Sequence, residues 1–189
     1  LRLQLGCGAV LRKGFVNVDV ELPHARYSHV AVPWPFPDAS VDAITAHHVM
    51  EHVGQSPAVF HAILKEVYRV AAPNATIAFV VPHHRSASFF TDPTHVRAIT
   101  METFRLYSRL FNLANVGQVA DSTLALTLGF DLRPEFVHLA PTPLWKAVRP
   151  GVPDLPQDLD AGQLKQLIAD SEVYGNIVSE TAVYMRAVK

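Results

Sequence analysis

Apolar and polar residues alternate through Arg2-Leu3-Gln4-Leu5 and again through Val16-Asn17-Val18-Asp19. This is the period-two pattern of strands with one buried face, so residues 2–6 and 15–20 are predicted to be the first two strands. Only Ala9 to Gly14 lie between Gly8 and the second strand. A full crossover takes about 10–12 residues, so the usual first helix is stunted. Residues 22–40 are turn-rich, with Pro23, Pro33, Pro35 and Pro37, and Val30 to Val32 is predicted as a short third strand. After the turn Asp38-Ala39-Ser40, Val41 to Ala46 reads as a buried strand, and His47 to His52 follows at its end. Val59, Phe60, Ile63, Leu64, Val67 and Val70 then recur at helical spacing over 57–71. Ser56 is placed to cap that helix, with Pro57 at its first position and Pro73-Asn74 stopping it. The apolar run Thr76 to Val81 suits a central parallel strand. Residues 82–100 form a polar loop, and Glu102 to Leu110 is predicted helical. Phe130 to Leu139 and Thr181 to Val188 are the last two strands. Between them lie a loop at 141–156 with five prolines and a short amphipathic helix marked by Leu164, Leu167 and Ile168. Strand alternating with helix, closed by a late strand pair, is an α/β three-layer pattern.

Composition narrows this picture. The 189 residues, 49% hydrophobic and 17% charged, suit a single globular domain over 1–189 with a full core. Within it, 1–105 reads as the ligand-binding core and 106–189 as the C-terminal strands with the proline-rich insertion 141–156. Lys and Arg total 16 against 17 Asp and Glu, without the basic excess of a nucleic-acid binder. The longest apolar runs, such as Ile77 to Val81, are too short to span a bilayer, so neither nucleic acid nor membrane is expected as a partner. No signal peptide is visible, and a lone cysteine fits a reducing compartment, so a cytoplasmic location is expected. The chain begins without Met inside a predicted strand, so residues upstream of Leu1 are expected in the natural protein. Its near-zero charge and apolar content allow a homodimer.

The candidate chemistry starts at Gly6-Cys7-Gly8 and Asp19. A glycine turn leaving one parallel strand, with an acid at the tip of the next, is how an α/β sheet holds a nucleoside. Two glycines in an ordinary strand-to-loop turn are the plainer reading. A dinucleotide fingerprint wants a third glycine where this chain has Leu11, at the start of a helix that is nearly missing. Diphosphate binding is therefore disfavoured, while a ligand with a ribose and no phosphate, such as S-adenosylmethionine, suits the turn.

The turn does not stand alone. The order Leu5-Gly6-Cys7-Gly8, Asn17-Val18-Asp19, Trp34-Pro35-Phe36-Pro37-Asp38-Ala39-Ser40-Val41-Asp42, His48-Val49-Met50-Glu51-His52 and Leu64-Lys65-Glu66-Val67-Tyr68-Arg69-Val70 resembles the class I S-adenosylmethionine-dependent methyltransferases, in particular their type 11 group. The loop Val81-Pro82-His83 with Phe90-Thr91-Asp92-Pro93-Thr94-His95 resembles a bacterial subgroup of mostly unassigned substrate. The resemblance covers roughly residues 1–105. It implies a Rossmann-like three-layer sandwich with a mostly parallel sheet and a late antiparallel strand. It also implies S-adenosyl-L-methionine as cofactor: Gly6, Cys7 and Gly8 against its methionine part, Asp19 on the ribose diol, and Ala46, His47 and His48 near the sulfonium. Two departures stand out. Relatives carry an acid that meets adenine where this chain has His29-Val30, and Asn74-Ala75 replaces the usual glycine pair, a change Asn tolerates in a left-handed conformation.

Six histidines, His47, His48, His52, His83, His84 and His95, follow predicted strands or lie in the loop beyond, where a doubly wound sheet gathers its ligand. A hydroxyl acceptor needs a base as its bond forms, and His suits that role at neutral pH. The expected base is His83 or His95 with Asp92 as orienting partner, and His48 is a further catalytic candidate. The plainer reading has His48 and His52 capping and packing a helix start. His48-Val49-Met50-Glu51-His52 also matches the inverted zinc-peptidase pattern, and His83, Asp92 and His95 are a second conceivable metal set. Neither has its full ligand set in the sequence, and no metal is assigned. Phe89, Phe90, Phe104, Tyr107 and Phe111 are read first as core packing and second as walls of an acceptor pocket. Trp145 suits either part, and Cys7 is a small residue inside the turn. The expected activity is methyl transfer to a hydroxyl of a small-molecule or saccharide acceptor. A non-catalytic binding module of the same fold is the main rival, and a metal-dependent hydrolase the lesser one.

Overall fold

A computed structural model describes residues 1–20, 32–118, 123–148 and 159–189. Six strands form one sheet: β1 (Arg2–Leu5), β2 (Val16–Val18), β3 (Val41–His47), β4 (Ala71–Pro82), β5 (Leu132–Pro141) and β6 (Val178–Ala187), in the order β2-β1-β3-β4-β6-β5. The pairs β1–β2, β1–β3 and β3–β4 are parallel. β6 then runs antiparallel to β4, and β5 antiparallel to β6. This is the Rossmann-like, mostly parallel sheet with a late antiparallel part that the sequence predicts. The residues after Leu5, Val18, His47 and Pro82 therefore all emerge at the carboxyl ends of the parallel strands, where such sheets bind ligands.

Seven helices are described: α1 (Pro57–Val70), α2 (Ala87–Thr91), α3 (Met101–Arg105), α4 (Arg109–Asn115), α5 (Leu124–Leu128), α6 (Pro143–Val148) and α7 (Ala161–Val173). α1 starts as expected, with Ser56 Oγ accepting from Val59 N and Pro57 at its first position. Its Phe60, Ile63, Leu64, Val67 and Val70 are buried with Leu3, Leu5, Ile44, Ile77 and Phe79 of the sheet.

Several boundaries differ from the expectation. β4 begins at Ala71, immediately after α1, because Ala71 pairs with Val41 before the register jumps to Ala43 and Thr76. The residues between, with Asn74 left-handed at φ 63°, bulge out of the ladder. The loop after β4 contains α2. The predicted helix from Glu102 to Leu110 is split in two, because Ser108 Oγ accepts from Phe111 N and starts α4 afresh. α5 was not anticipated, and α6 occupies the start of the predicted proline-rich loop. The rest of that loop, and the predicted strand at Val30, lie outside the described residues. Trp145 of α6 is fully buried in a second core cluster with Leu139, Leu167, Ile177 and Val178, and its Nε1 donates to Asp170 at 3.0 Å. It is a core residue. No helix among the described residues is long and apolar enough to cross a membrane.

One clamp explains two of the sequence motifs together. Glu66, 6% exposed, accepts from Trp34 N and, one turn along α1, from Arg69 Nε. Arg69 also donates to the carbonyls of Phe36 and Trp34, each at 3.0 Å, and to Asp38. The turn that buries Trp34 and Phe36 is thus fastened to α1 by a planar donor fork. Removing one partner of a buried pair costs roughly 3–5 kcal/mol, and partial exposure of Arg69 lowers that, so Arg69→Ala should cost about 2–3 kcal/mol. Urea unfolding should show a lower midpoint at unchanged slope, with Arg69→Lys recovering only part, since an ammonium cannot bridge four acceptors at once.

Candidate active site

The turn after β1 is shaped by two left-handed glycines, Gly6 at φ 59° and Gly8 at φ 50°. A β-carbon on Gly6 would lie 2.1 Å from Val49 Cγ2, whereas one on Gly8 would project into open space. Cys7, 3% exposed, points inward and anchors the turn to β2 by donating from its N to Val18 O at 3.1 Å. Burial raises its thiol pKa, which makes it a packing group and not a nucleophile. Gly8 N donates to Asp19 Oδ2 at 2.8 Å and Val20 N to Oδ1 at 2.7 Å, so the carboxylate at the tip of β2 is held beside the glycine turn. The stunted crossover is closed by Asn17 Oδ1, which accepts from Arg12 N at 3.0 Å.

The second element is the turn after β3. Ala46 is fully buried. Its side chain belongs to the core. His47 and His48 are the first exposed residues there. Burial, then the charges of Arg12 and His48, lower the His47 pKa. His48 has the opposite setting. Its backbone is left-handed at φ 51°, its Nδ1 lies 3.3 Å from Glu51 Oε1 in an ion-pair contact, and its Nε2 lies 2.8 Å from Glu180 Oε1. Glu51 first, then Glu180, raise its pKa to about 9 against the effect of burial. His48 is therefore a cation at neutral pH and not a base. No helix starts at this turn, since α1 begins at Pro57; the capping role considered for His48 and His52 does not arise.

The third element is the Asp92-Pro93-Thr94-His95 loop. Asp92 Oδ1 accepts from Thr94 N at 2.8 Å and Thr94 Oγ1 at 2.6 Å, and these bonds lower its pKa. Val96 N donates to Glu51 O at 2.9 Å, and Arg97 donates to the carbonyls of Val53 and Gly54, both at 2.8 Å. The guanidinium of Arg97 also sits 4.1 Å from the centre of the Phe60 ring. These bonds fasten the loop to the His48–His52 turn and bring His95 against His52, with ring centres 4.6 Å apart. Asp92 is not what orients His95: its Oδ2 lies 3.8 Å from Nε2, while His95 Nδ1 bonds the Phe89 carbonyl at 2.7 Å.

His83 lies elsewhere, 4% exposed, in a cavity of about 200 Å³ lined also by Arg105, Glu172 and Thr181. Its Nδ1 accepts from Arg85 N at 3.3 Å, and burial lowers its pKa to about 4. It is neutral with its proton on Nε2, so it presents a donor and no lone pair to that cavity. Phe104 and Tyr107 are buried in the core, as the plainer reading had it, whereas Phe89 stacks on His95 at 5.4 Å. The adenine contact expected near Val30 lies outside the described residues.

Residues 10–79 match the model of a family described as a methyltransferase domain. An S-adenosylmethionine-dependent methyltransferase from Archaeoglobus fulgidus superposes with a TM-score of 0.58, over 98% of this chain and 85% of that one, at 18% identity. The YcgJ protein of Bacillus subtilis gives 0.52 over 100% and 92%, at 16% identity. The chain thus shares the class I methyltransferase fold, and residues 10–79 of it match that domain family in sequence. A methyltransferase from Methanosarcina mazei shares the fold at a TM-score of 0.52 and 13% identity, over 99% and 92% of the two chains. None of the curated proteins matches this chain in sequence.

The two glycines should fail differently when replaced. Gly6→Ala forces a methyl into Val49 and should lose both stability, by more than about 1 kcal/mol, and affinity for S-adenosylhomocysteine. Gly8→Ala should lose affinity while its melting temperature falls much less. Calorimetry and thermal melts on the two variants separate these outcomes. His83 carries a pH signature. With a folded pKa of about 4 against an ordinary 6.5, the unfolded chain binds a proton in that window and the folded one does not. Stability should fall as pH drops from 6.5 towards 4, and the fall should be smaller in His83→Gln, as read from melting temperatures.

Proposed function

We propose that this protein is a methyltransferase that moves the methyl group of S-adenosylmethionine to a hydroxyl oxygen of a small-molecule or saccharide acceptor. The cofactor's methionine part lies along the Gly6–Gly8 turn, its ribose hydroxyls donate to Asp19, and its sulfonium faces His47. The new oxygen–carbon bond forms as the carbon–sulfur bond breaks in line, leaving a neutral thioether and transferring the hydroxyl proton to an imidazole. Alignment supplies most of the acceleration, and proton removal contributes about 10²–10⁴-fold.

The observation that carries the hydroxyl reading is the hydrogen bond of His95. A carbonyl only accepts, so the 2.7 Å bond to Phe89 O puts a proton on His95 Nδ1 and makes Nε2 the nitrogen whose lone pair a neutral ring offers. That lone pair sits on a loop fastened to the turn that touches Gly6, so base and cofactor share one support. Calorimetry should show S-adenosylhomocysteine binding to the wild type and a loss of at least tenfold in affinity for Asp19→Ala. A wild type that binds none of it would sink the reading. His95→Gln should retain that binding and lose 10²-fold or more in turnover, measured as labelled methyl transfer to sugar nucleotides and related hydroxylated acceptors; full turnover in this variant would remove the imidazole from the chemistry.

A further inference from the structure

The cluster around His95 holds more ligand groups than a single base requires. One ligand atom each from Glu51, His52 and His95 lies within 4.8 Å of the others. Glu51 is 1% exposed; its Oε1 has an ion-pair contact with His48 Nδ1 at 3.3 Å, and among the described residues neither carboxylate oxygen accepts a hydrogen bond. A buried carboxylate with so few partners is costly, and its Oε2 remains available to a further cation.

The two imidazoles are set for the same purpose. Thr94 Oγ1 donates to Asp92 Oδ1 at 2.6 Å, so the 2.9 Å contact between Thr94 Oγ1 and His52 Nδ1 has His52 as donor. His95 Nδ1 donates to Phe89 O at 2.7 Å. Both rings therefore carry a proton on Nδ1, so Nε2 is the nitrogen that a neutral ring offers to a ligand, and His52 Nε2 is 3.9 Å from Glu51 Oε1. A hydrogen bond on the remote nitrogen is what fixes tautomer and ring direction in histidine metal ligands.

We propose that Glu51, His52 and His95 form a binding site for a divalent first-row transition ion such as Zn²⁺ or Mn²⁺. Two imidazoles and one carboxylate suit such ions and leave coordination positions open. This spread exceeds the separation of roughly 3 Å that ligands take up at about 2.1 Å from a shared ion, so binding requires the three side chains to draw together. The inference deepens the reading above and rests on its hydroxyl acceptor. With the ion in place, the acceptor oxygen binds it at an open position, its proton passes to solvent, and the ion does the activating work otherwise assigned to His95 Nε2. The site joins halves of the two metal sets legible in the sequence: Glu51 and His52 from one, His95 from the other.

The test measures binding alone, without cofactor or turnover, so it stands or falls separately from the methyl-transfer reading. Full-length protein stripped with a chelator is titrated with Zn²⁺ and with Mn²⁺, and metal content after dialysis is read by elemental analysis. The expected result is one ion per chain, with affinity lowered at least 100-fold in His52→Gln and in His95→Gln and 10–100-fold in the supporting variant Thr94→Val. His83→Gln should bind as the wild type does. A Co²⁺-loaded sample should show visible ligand-field bands that both His variants lose. Should Glu51→Gln fail to fold, the exposed His52 and the loop residue Thr94 still decide the matter. No stoichiometric ion in the wild type, or binding indifferent to both His52→Gln and His95→Gln, would overturn the proposal.

Discussion

At Gly6 a β-carbon would lie 2.1 Å from Val49 Cγ2, so only glycine lets the turn after β1 and the turn after β3 touch. That contact couples the two halves of the site. On one side stand Gly8 and Asp19, joined by the bond from Gly8 N. On the other stand His47, His48, Glu51 and His52, with the 92–97 loop fastened to them through Glu51 O and Arg97. The parallel pairing of β1 with both β2 and β3 delivers these turns to the same edge of the sheet. The close approach at Gly6 then sets their spacing. A methyl donor on one turn and an acceptor on the other need such fixed spacing, since transfer depends on alignment far more than on covalent help.

Neighbours set the histidines beyond β3 and β4 in different hydrogen-bonding environments, and residue type alone shows none of them. His48 is held charged between Glu51 and Glu180. His83 is held neutral by burial, with its lone pair turned onto Arg85 N. His52 and His95 are turned by Thr94 and Phe89, which bond their Nδ1 atoms and leave the Nε2 atoms to the site.

What the sequence revealed follows from range. Local signals were legible: the alternation of Leu3 and Leu5, the Ser56-Pro57 start of α1, and the tolerance of Asn74 for a left-handed turn all depend on near neighbours. The ordered motifs led to the fold and to the glycine turn. The break between α3 and α4 was missed because helical spacing continues across Ser108, whose hydroxyl prefers to cap. The burial of Ala46 was not legible, because its position at a strand end says nothing of which face it takes. His83 and His95 read alike in the sequence. Only the bonds from Arg85 N and to Phe89 O distinguish them, and these are set by how the loop after β4 folds back. The meeting of Glu51 with His95 spans two loops with no periodic pattern, and Arg97, which enforces it, carries no sequence signal of its own.

The most direct measurement is a crystal structure with S-adenosylhomocysteine bound. Electron density should lie in the crevice at the carboxyl ends of β1 and β3, with the ribose hydroxyls on Asp19, the amino-acid part along Gly6 to Gly8, and the sulfur towards His47. Density elsewhere on the molecule, or an empty crevice at saturating ligand, would contradict the placement of the methyl donor on which the rest depends.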